Sequence, residues 1–372
     1  MSNTQNKNVP ELRFPEFEGE WEEKQLGNII KVNSGKDYKH LDKGDIPVYG
    51  TGGYMTSVSE PLSEIDAVGI GRKGTINKPY LLEAPFWTVD TLFYCTPKKE
   101  TDILFILSLF RKINWKVYDE STGVPSLSKQ TINKINRFVP TNKEQQKIGK
   151  FFSKLDRQIE LEEQKLELLQ QQKKGYMQKI FSQELRFKDE NGNDYPDWTN
   201  ERLGEVTTVT MGQSPKSVNY TDNSNDTVLI QGNADIENGL INPRIYTREV
   251  TKLIQKDEII LTVRAPVGKL AMAQINACIG RGVCSIKGDK FLYYFLEWFA
   301  TQNKWIRFSQ GSTFESISGN DIRNIHIKIP VEDERTKIIK LLNSLDVLNS
   351  KTDLKIQNLK QRKQSLLQKI FV

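Results

Sequence analysis

The chain is poor in the residues that most often carry chemistry or covalent staples. It has three cysteines, Cys95, Cys278 and Cys284, an odd number with no CxxC pair. That argues against a disulfide framework or a zinc knuckle and for a reducing compartment. Only two histidines occur, His40 and His326, which excludes HExxH and His-rich metal sites. No window approaches the ~20 apolar residues of a membrane span; the densest stretch, 291–300, contains Glu297. The first residues, MSNTQNKNVPE, lack the basic-then-apolar plan of a secretory signal. A cytoplasmic protein with no membrane partner is expected. No Walker A sequence is present, so ATP-driven work by this chain is not expected. Nor is there an Asn-Pro-Pro-aromatic tetrapeptide, the element with which amino-methyltransferases hold an extruded base.

What is present is enough to fold. Hydrophobic residues make up 37% of the 372 and charged residues 27%, the balance of a globular chain. The length exceeds one ordinary core, which stops growing near ~250–300 residues. Net charge is +6, which fits a polyanionic partner without identifying one. Residues 22–140 hold 16 Lys and Arg against 14 Asp and Glu, so the excess is not gathered there.

The sequence contains itself twice. Glu11-Leu12-Arg13-Phe14 recurs as Glu184-Leu185-Arg186-Phe187, and each is followed by a Trp and then Leu-Gly: Trp21, Leu26, Gly27 and Trp198, Leu203, Gly204. Residues 140–181 match 330–371 without a gap, with 15 of 42 positions identical. The identities include Pro140/Pro330, Glu144/Glu334, Leu155-Asp156/Leu345-Asp346 and a closing Gln-Lys-Ile-Phe. Such a period marks a duplicated structural unit.

Each unit has two parts. Residues 143–181 lack proline and are rich in Glu, Gln, Lys and Leu, which predicts a helix ~55–60 Å long. Leu155, Ile159, Glu162, Leu166, Leu169, Lys173, Tyr176 and Ile180 fall at alternate spacings of four and three, a heptad seam with two polar interruptions. The second copy gives Leu345, Asn349, Thr352, Ile356, Leu359, Lys363, Leu366 and Ile370 in the same register. Polar residues at the same two seam positions favour pairing between the copies in a fixed register; the alternative is that each helix packs only on its own globule. The remaining parts, about 20–140 and 198–330, are strand-rich with many turns. Strands are expected over 67–70, 87–94, 228–231, 258–263 and 283–286, and a glycine-rich loop over 46–54. Helices are expected over 102–117 and 289–308, each capped by its Asp, and each followed by a serine-rich stretch (121–128 and 311–318). The fold class is therefore α+β. The expected division is 1–140, a first mixed α/β globule; 141–182, a central helix; 183–330, a second globule; and 331–372, a C-terminal helix.

No catalytic centre and no metal site emerge from this reading. Gly69-Ile-Gly-Arg-Lys-Gly74 fits GxGxxG, but a dinucleotide site needs a helix directly after it, and Thr75-Ile-Asn-Lys-Pro79 will not start one. Pro196-Asp197 with Glu201 lacks the lysine of a PD…ExK nuclease. Ser126 or Ser312 as a nucleophile would need a base that two histidines hardly supply. His326 lies in an alternating run and is expected to face solvent, while Cys278 and Cys284 are expected in the core. The globules do carry polar loops with interleaved aromatics, the residue types for phosphate contacts and base-edge hydrogen bonds. The candidates in the first globule are Lys36, Tyr38, Lys39, His40, Tyr49, Thr51, Tyr54, Arg72, Lys73 and Lys78. Those in the second are Gln213, Ser214, Lys216, Tyr220, Gln231, Asn233, Arg264, Lys269 and Arg281. Arg72-Lys73 and Arg264…Lys269 look like matched basic loops.

Pro10-Glu-Leu-Arg-Phe-Pro15, Trp21, Leu26-Gly27, Val139-Pro140, Glu144-Gln-Gln-Lys-Ile148, Leu155-Asp156 and Gln178-Lys-Ile-Phe181 together resemble the specificity subunit of type I restriction-modification systems. The resemblance runs over essentially the whole chain. It implies two target-recognition domains held apart by an antiparallel pair of helices, with an internal pseudo-two-fold repeat. Each domain would read half of a bipartite site in double-stranded DNA through the major groove. The helices would set the gap and dock two modification subunits carrying S-adenosylmethionine and the adenine methyltransferase chemistry. Restriction subunits would add ATP- and Mg2+-dependent translocation and cleavage, and this chain would bind no cofactor of its own. The second copy departs from the family pattern at Glu334-Arg335-Thr336-Lys337, which is expected to alter capping or docking detail only. Divergence between 22–138 and 205–328 implies two different half-sites and an asymmetric target. From a different class, a coiled-coil adaptor whose globules bind protein is the alternative.

Overall fold

A computed structural model describes residues 8–305 and 316–372. The helix expected to reach Phe308 ends at Thr301, within the described residues, while Phe308 itself and residues 311–315 of the second serine-rich stretch, with Ser312, lie outside them. The chain divides into two compact units. One comprises Met1–Gln164 with Thr352–Val372, the other Lys165–Lys351.

Four helices organise these units: α1 (Ile103–Lys112), α2 (Asn142–Phe181), α3 (Lys290–Thr301) and α4 (Glu332–Ile370). Asp102 and Asp289 cap α1 and α3, accepting from Phe105 N at 2.8 Å and Leu292 N at 3.1 Å. Helix α1 stops five residues short of the expected Val117. The Trp115 indole donates to Phe110 O at 2.8 Å and starts a separate 3-10 turn, Trp115–Tyr118.

In the first unit the strands Ile30–Ser34, Leu92–Pro97, Ala67–Gly71 and Tyr80–Leu82 form one antiparallel sheet in that spatial order. Beside it lies a hairpin, Ile46–Gly50 with Gly53–Val58, whose first strand also pairs in parallel with Trp87–Thr88. The second unit repeats the plan. Val209–Met211, Val283–Ile286, Ile259–Thr262 and Leu270–Met272 make the antiparallel sheet, and Thr227–Ile230 pairs in parallel with Ala277–Ile279. The run 87–94, expected as one strand, is two strands broken at 89–91. Glycines Gly69 to Gly74 lie on a strand and the loop beyond it, which leads to the strand at Tyr80, so the nucleotide motif has no helix. His326 is an exposed strand residue, and Cys278 and Cys284 are fully buried.

The repeated motifs are repeated buried contacts. Glu144 and Glu334, only 1% and 0% exposed, sit at the starts of the long helices. Arg13 grips Glu144 through Nε and Nη2 at 2.8 and 2.7 Å, with the Trp21 indole at 3.3 Å. Arg186 grips Glu334 at 2.8 Å through each of the same nitrogens, with the Trp198 indole at 2.9 Å. A carboxylate so deep is tolerated only with this many donors. The Gln-Lys-Ile-Phe ends are aromatic plugs. Phe371 packs on Trp21, Phe105 and Phe152 in the first unit's core, and Phe181 on Phe291, Phe295 and Trp298 in the second's.

Within each unit the segments of α2 and α4 run antiparallel as a coiled coil. In the first unit Lys363 pairs with Asp156 and Lys355 with Glu162; in the second Lys173 pairs with Asp346 at 2.7 Å. One seam lysine therefore meets one repeated aspartate in each unit, which fixes the register. Of the expected seam residues, Leu155, Ile159, Ile180, Leu345, Ile356 and Ile370 are buried and Leu166, Leu169, Tyr176, Leu359 and Leu366 half-buried. The helix ends also enter globule cores, with Ile148 and Phe152 in the first and Met177 and Ile180 in the second. Pairing and globule packing thus coexist on the same helices. The departure at Arg335 rewires one tie. Gln145 accepts from Asp102 N at 3.0 Å, whereas Arg335 forms a 2.7 Å ion pair with the carboxylate of the equivalent cap, Asp289.

Candidate nucleic-acid interface

In each globule a short turn between the parallel-paired strand and the central sheet gathers the loops that carry the candidate residues. In the first unit this turn is Thr88–Leu92. Gly35 N donates to Leu92 O at 3.2 Å and Lys36 N to Thr88 O at 2.8 Å, so the turn pins the loop beginning at Ser34. Val89 N donates to Tyr49 O at 3.0 Å, which ties in the hairpin, and Arg72 N donates to Thr91 O at 2.8 Å, which ties in the basic loop. In the second unit the turn is Ile279–Val283. Gly212 N donates to Val283 O at 3.0 Å and Gln213 N to Ile279 O at 2.9 Å. Gly280 N donates to Ile230 O at 2.7 Å and Val263 N to Gly282 O at 2.9 Å. The same backbone device recurs with different side chains.

Glycine is required where the turn packs on its neighbour. A side-chain carbon at Gly35 would overlap the Val89 carbonyl, and one at Gly212 would overlap the Gly280 carbonyl. These are equivalent positions meeting equivalent atoms, and neither tolerates a Cβ without backbone movement.

Around the first turn Lys36, Lys39, His40, Arg72, Lys73 and Lys78 are exposed. Tyr38 is half-buried against the small core of Val48 and Trp87. Tyr54, 63% exposed at the hairpin tip, stands beside Tyr49 with ring centroids 6.4 Å apart. Thr51 faces Gly74 of the basic loop. Burial, and then the nearby Tyr49, push the Tyr80 phenol well above its ordinary range, so it stays protonated and donates to Gly50 O at 2.6 Å. That bond braces the base of the hairpin.

The second turn brings together Gln213, Ser214, Gln231 and Arg281, with Arg264 in the adjoining loop. Ser214 Oγ accepts from Arg281 N at 3.2 Å. Lys216 and Tyr220 lie farther along, where Lys216 N and then Asn219 hold the Glu249 carboxyl below its usual range. Lys269 is turned inward, its ammonium donating to Asn233 O at 3.2 Å and Ile236 O at 2.6 Å. Lys269 therefore braces the fold between the loops, through the Asn233 and Ile236 main-chain carbonyls.

The basic loops match in a register one residue away from that expected. Leu127 N donates to Arg72 O and Ile317 N to Val263 O, and Lys73 bridges Ser126 as Arg264 bridges Ser316. Lys73 is thus the counterpart of Arg264 and Lys78 that of Lys269, while Arg72 corresponds to Val263, which is buried. The ungapped repeat extends upstream of Pro140 to Ser126-Leu-Ser128 against Ser316-Ile-Ser318, but its shift would set Arg264 opposite Gly74, so the loop register comes from the pairing alone. Ser128 and Ser318 both cap short helices. Sequence reasoning also passed over Asp90, exposed at the tip of the first turn, and Met55, exposed in the hairpin.

Two globules with one repeated backbone and different loop side chains, each rooted in a coiled-coil segment, define a duplicated protein. Residues 18–171 and 195–361 match the type I restriction modification DNA specificity domain, and the chain belongs to that family. It is 30% identical over 261 residues to a protein of Methanocaldococcus jannaschii described as the MjaX type I restriction enzyme specificity subunit, with 66% of this chain and 61% of that one covered. The chain thus spans about three fifths of that relative's length. The MjaVIII specificity subunit of the same organism is 25% identical over 312 residues, covering 77% of this chain and 71% of its own. The S subunit of a type I restriction-modification system from M. genitalium has the same fold. Its TM-score is 0.68 over 98% of this chain and 99% of its own, at 16% identity. Among the described residues no helix is long and apolar enough to cross a membrane.

Proposed function

We propose that this chain is the sequence-reading subunit of a type I restriction-modification complex and catalyses no reaction itself. Each globule reads one half of an asymmetric, bipartite site in double-stranded DNA, and the paired helices set the gap. Two modification subunits dock on this scaffold and bring S-adenosylmethionine and adenine methylation. Restriction subunits bring ATP- and Mg2+-dependent translocation and cleavage, and the complex works in the cytoplasm. One observation carries the reading. The two turns share their backbone hydrogen bonds while the side chains around them differ, as expected of two readers built for different half-sites.

The test is a graft. Residues 22–138 are replaced by the corresponding domain of another such subunit, the complex is assembled with its modification subunits, and methylated sites are mapped. One half-site should change while the other half-site and the gap stay the same. Changes in both half-sites, or in neither, overturn the assignment. Binding should also weaken steeply and linearly in log salt, because phosphate contacts release counterions.

A further inference from the structure

The tip of the shared turn carries opposite charges in the two globules. Asp90 and Arg281 occupy the same position, fixed by the paired bonds to Leu92 and Val283, Thr88 and Ile279, and Thr91 and Gly282. Both are exposed. Neither side chain has an ion pair or hydrogen bond among the described residues; Arg72 reaches only the Asp90 main-chain carbonyl, at 3.4 Å. The backbone beneath them is pinned, with Thr88 and Val89 buried in the first globule and Gly280 and Gly282 closely packed in the second.

We propose that this position reads a base edge in each half-site, with Asp90 accepting from the exocyclic amine of a cytosine and Arg281 donating to O6 and N7 of a guanine. The inference rests on the DNA-reading function above. A position facing phosphate would carry a cation or a neutral donor in both globules. A carboxylate on the turn that holds the backbones of Lys36, Arg72 and Lys73, and facing a polyanion, is repelled unless it meets a donor. Within the major groove the cytosine N4 amine is such a donor, and the guanine edge is the usual partner of arginine. Charge reversal at a fixed backbone position is then a change of base.

The experiment uses the complex reconstituted with modification subunits and a panel of duplexes carrying every single base-pair change in the mapped site. Asp90→Asn should reduce the preference for one C·G pair in the first globule's half-site about tenfold or more, and move it toward A·T, since asparagine pairs with adenine N6 and N7. Arg281→Gln should do the same at one G·C pair of the other half-site. An unchanged profile in both variants, an equal loss on every duplex, or a half-site lacking the required pair overturns the assignment while leaving DNA reading intact. A wild-type complex with no sequence preference at all overturns both.

Discussion

The carboxylate Glu334 provides the most demanding test of how a globule is held to its helices. It takes four donors: Arg186 Nε and Nη2 at 2.8 Å, the Trp198 indole at 2.9 Å and Phe187 N at 3.3 Å. Breaking one partner of a buried pair costs roughly 3–5 kcal/mol. Arg186 is 22% exposed and keeps the carbonyls of Pro196 at 2.7 Å and Tyr195 at 3.3 Å, so the lower end applies and Glu334→Ala should cost about 3 kcal/mol. Glu334→Gln preserves shape but loses a charge-assisted bond, worth about 1.5–3 kcal/mol. Hydrogen exchange read separately on the two cores is the assay. Amides around Phe291 and Phe295 should open roughly a hundredfold more readily in Glu334→Ala, and those around Phe105 and Phe152 should not. Arg186→Met combined with Glu334→Leu should recover most of the loss, because no uncompensated charge remains. An alanine variant within about 1 kcal/mol of wild type, or equal loosening of both cores, refutes the reasoning.

Three further outcomes are expected. Gly35→Ala and Gly212→Ala force the turn away from its neighbour, so each should lower stability by about 1–3 kcal/mol and reduce discrimination in one half-site only, as measured by thermal melting and methylation mapping. Lys173→Met leaves Glu297 facing Asp346 across the place where Lys173 Nζ meets both carboxylates at 2.7 Å. Burial already raises the Glu297 carboxyl, with Lys173 opposing that rise, so the variant raises it further. A folded value above the unfolded one means stability is lost as pH rises through it, and the melting deficit of Lys173→Met should shrink on acidification. Inserting one heptad into both long helices, at matched positions beyond the Asp156–Lys363 and Asp346–Lys173 contacts, should lengthen the gap and leave both half-sites unchanged in a mapped methylome.

The long helices were legible because a heptad pattern is local and the repeat preserved it without gaps. The motifs at the helix ends were visible only as repeated letters. Arg13 meets Glu144 across 131 residues and Arg186 meets Glu334 across 148, and no periodicity encodes such a contact. The strand run 87–94 read as continuous because its apolar residues extend through Val89, while the break needs only three residues of turn. Candidate residues near the turns were found by type, but type does not give direction. Lys269 is a loop lysine by sequence, yet its ammonium is spent on two carbonyls within its own globule.

The mismatch of the basic loops shows why the globule loops are harder to decode than their scaffold. The offset between the two copies drifts from 177 at Gly35 and Gly212, to 191 at Lys73 and Arg264, to 190 at Ser126 and Ser316. Each loop has therefore gained or lost residues independently, and similar basic letters can be paired wrongly by a single step. The positions that hold register are those with no steric or polar freedom: a glycine against a carbonyl, a serine capping a helix, a glutamate buried under an arginine. Between these fixed points exposed residues are free to change, and at Asp90 and Arg281 the change reverses charge on an unchanged backbone. Packing requirements hold the first set alike in both globules, and the second set is free of them. Repetition in this chain accordingly identifies what holds the protein together, and the proposed base-reading positions are those where the backbone repeats and the side chain does not.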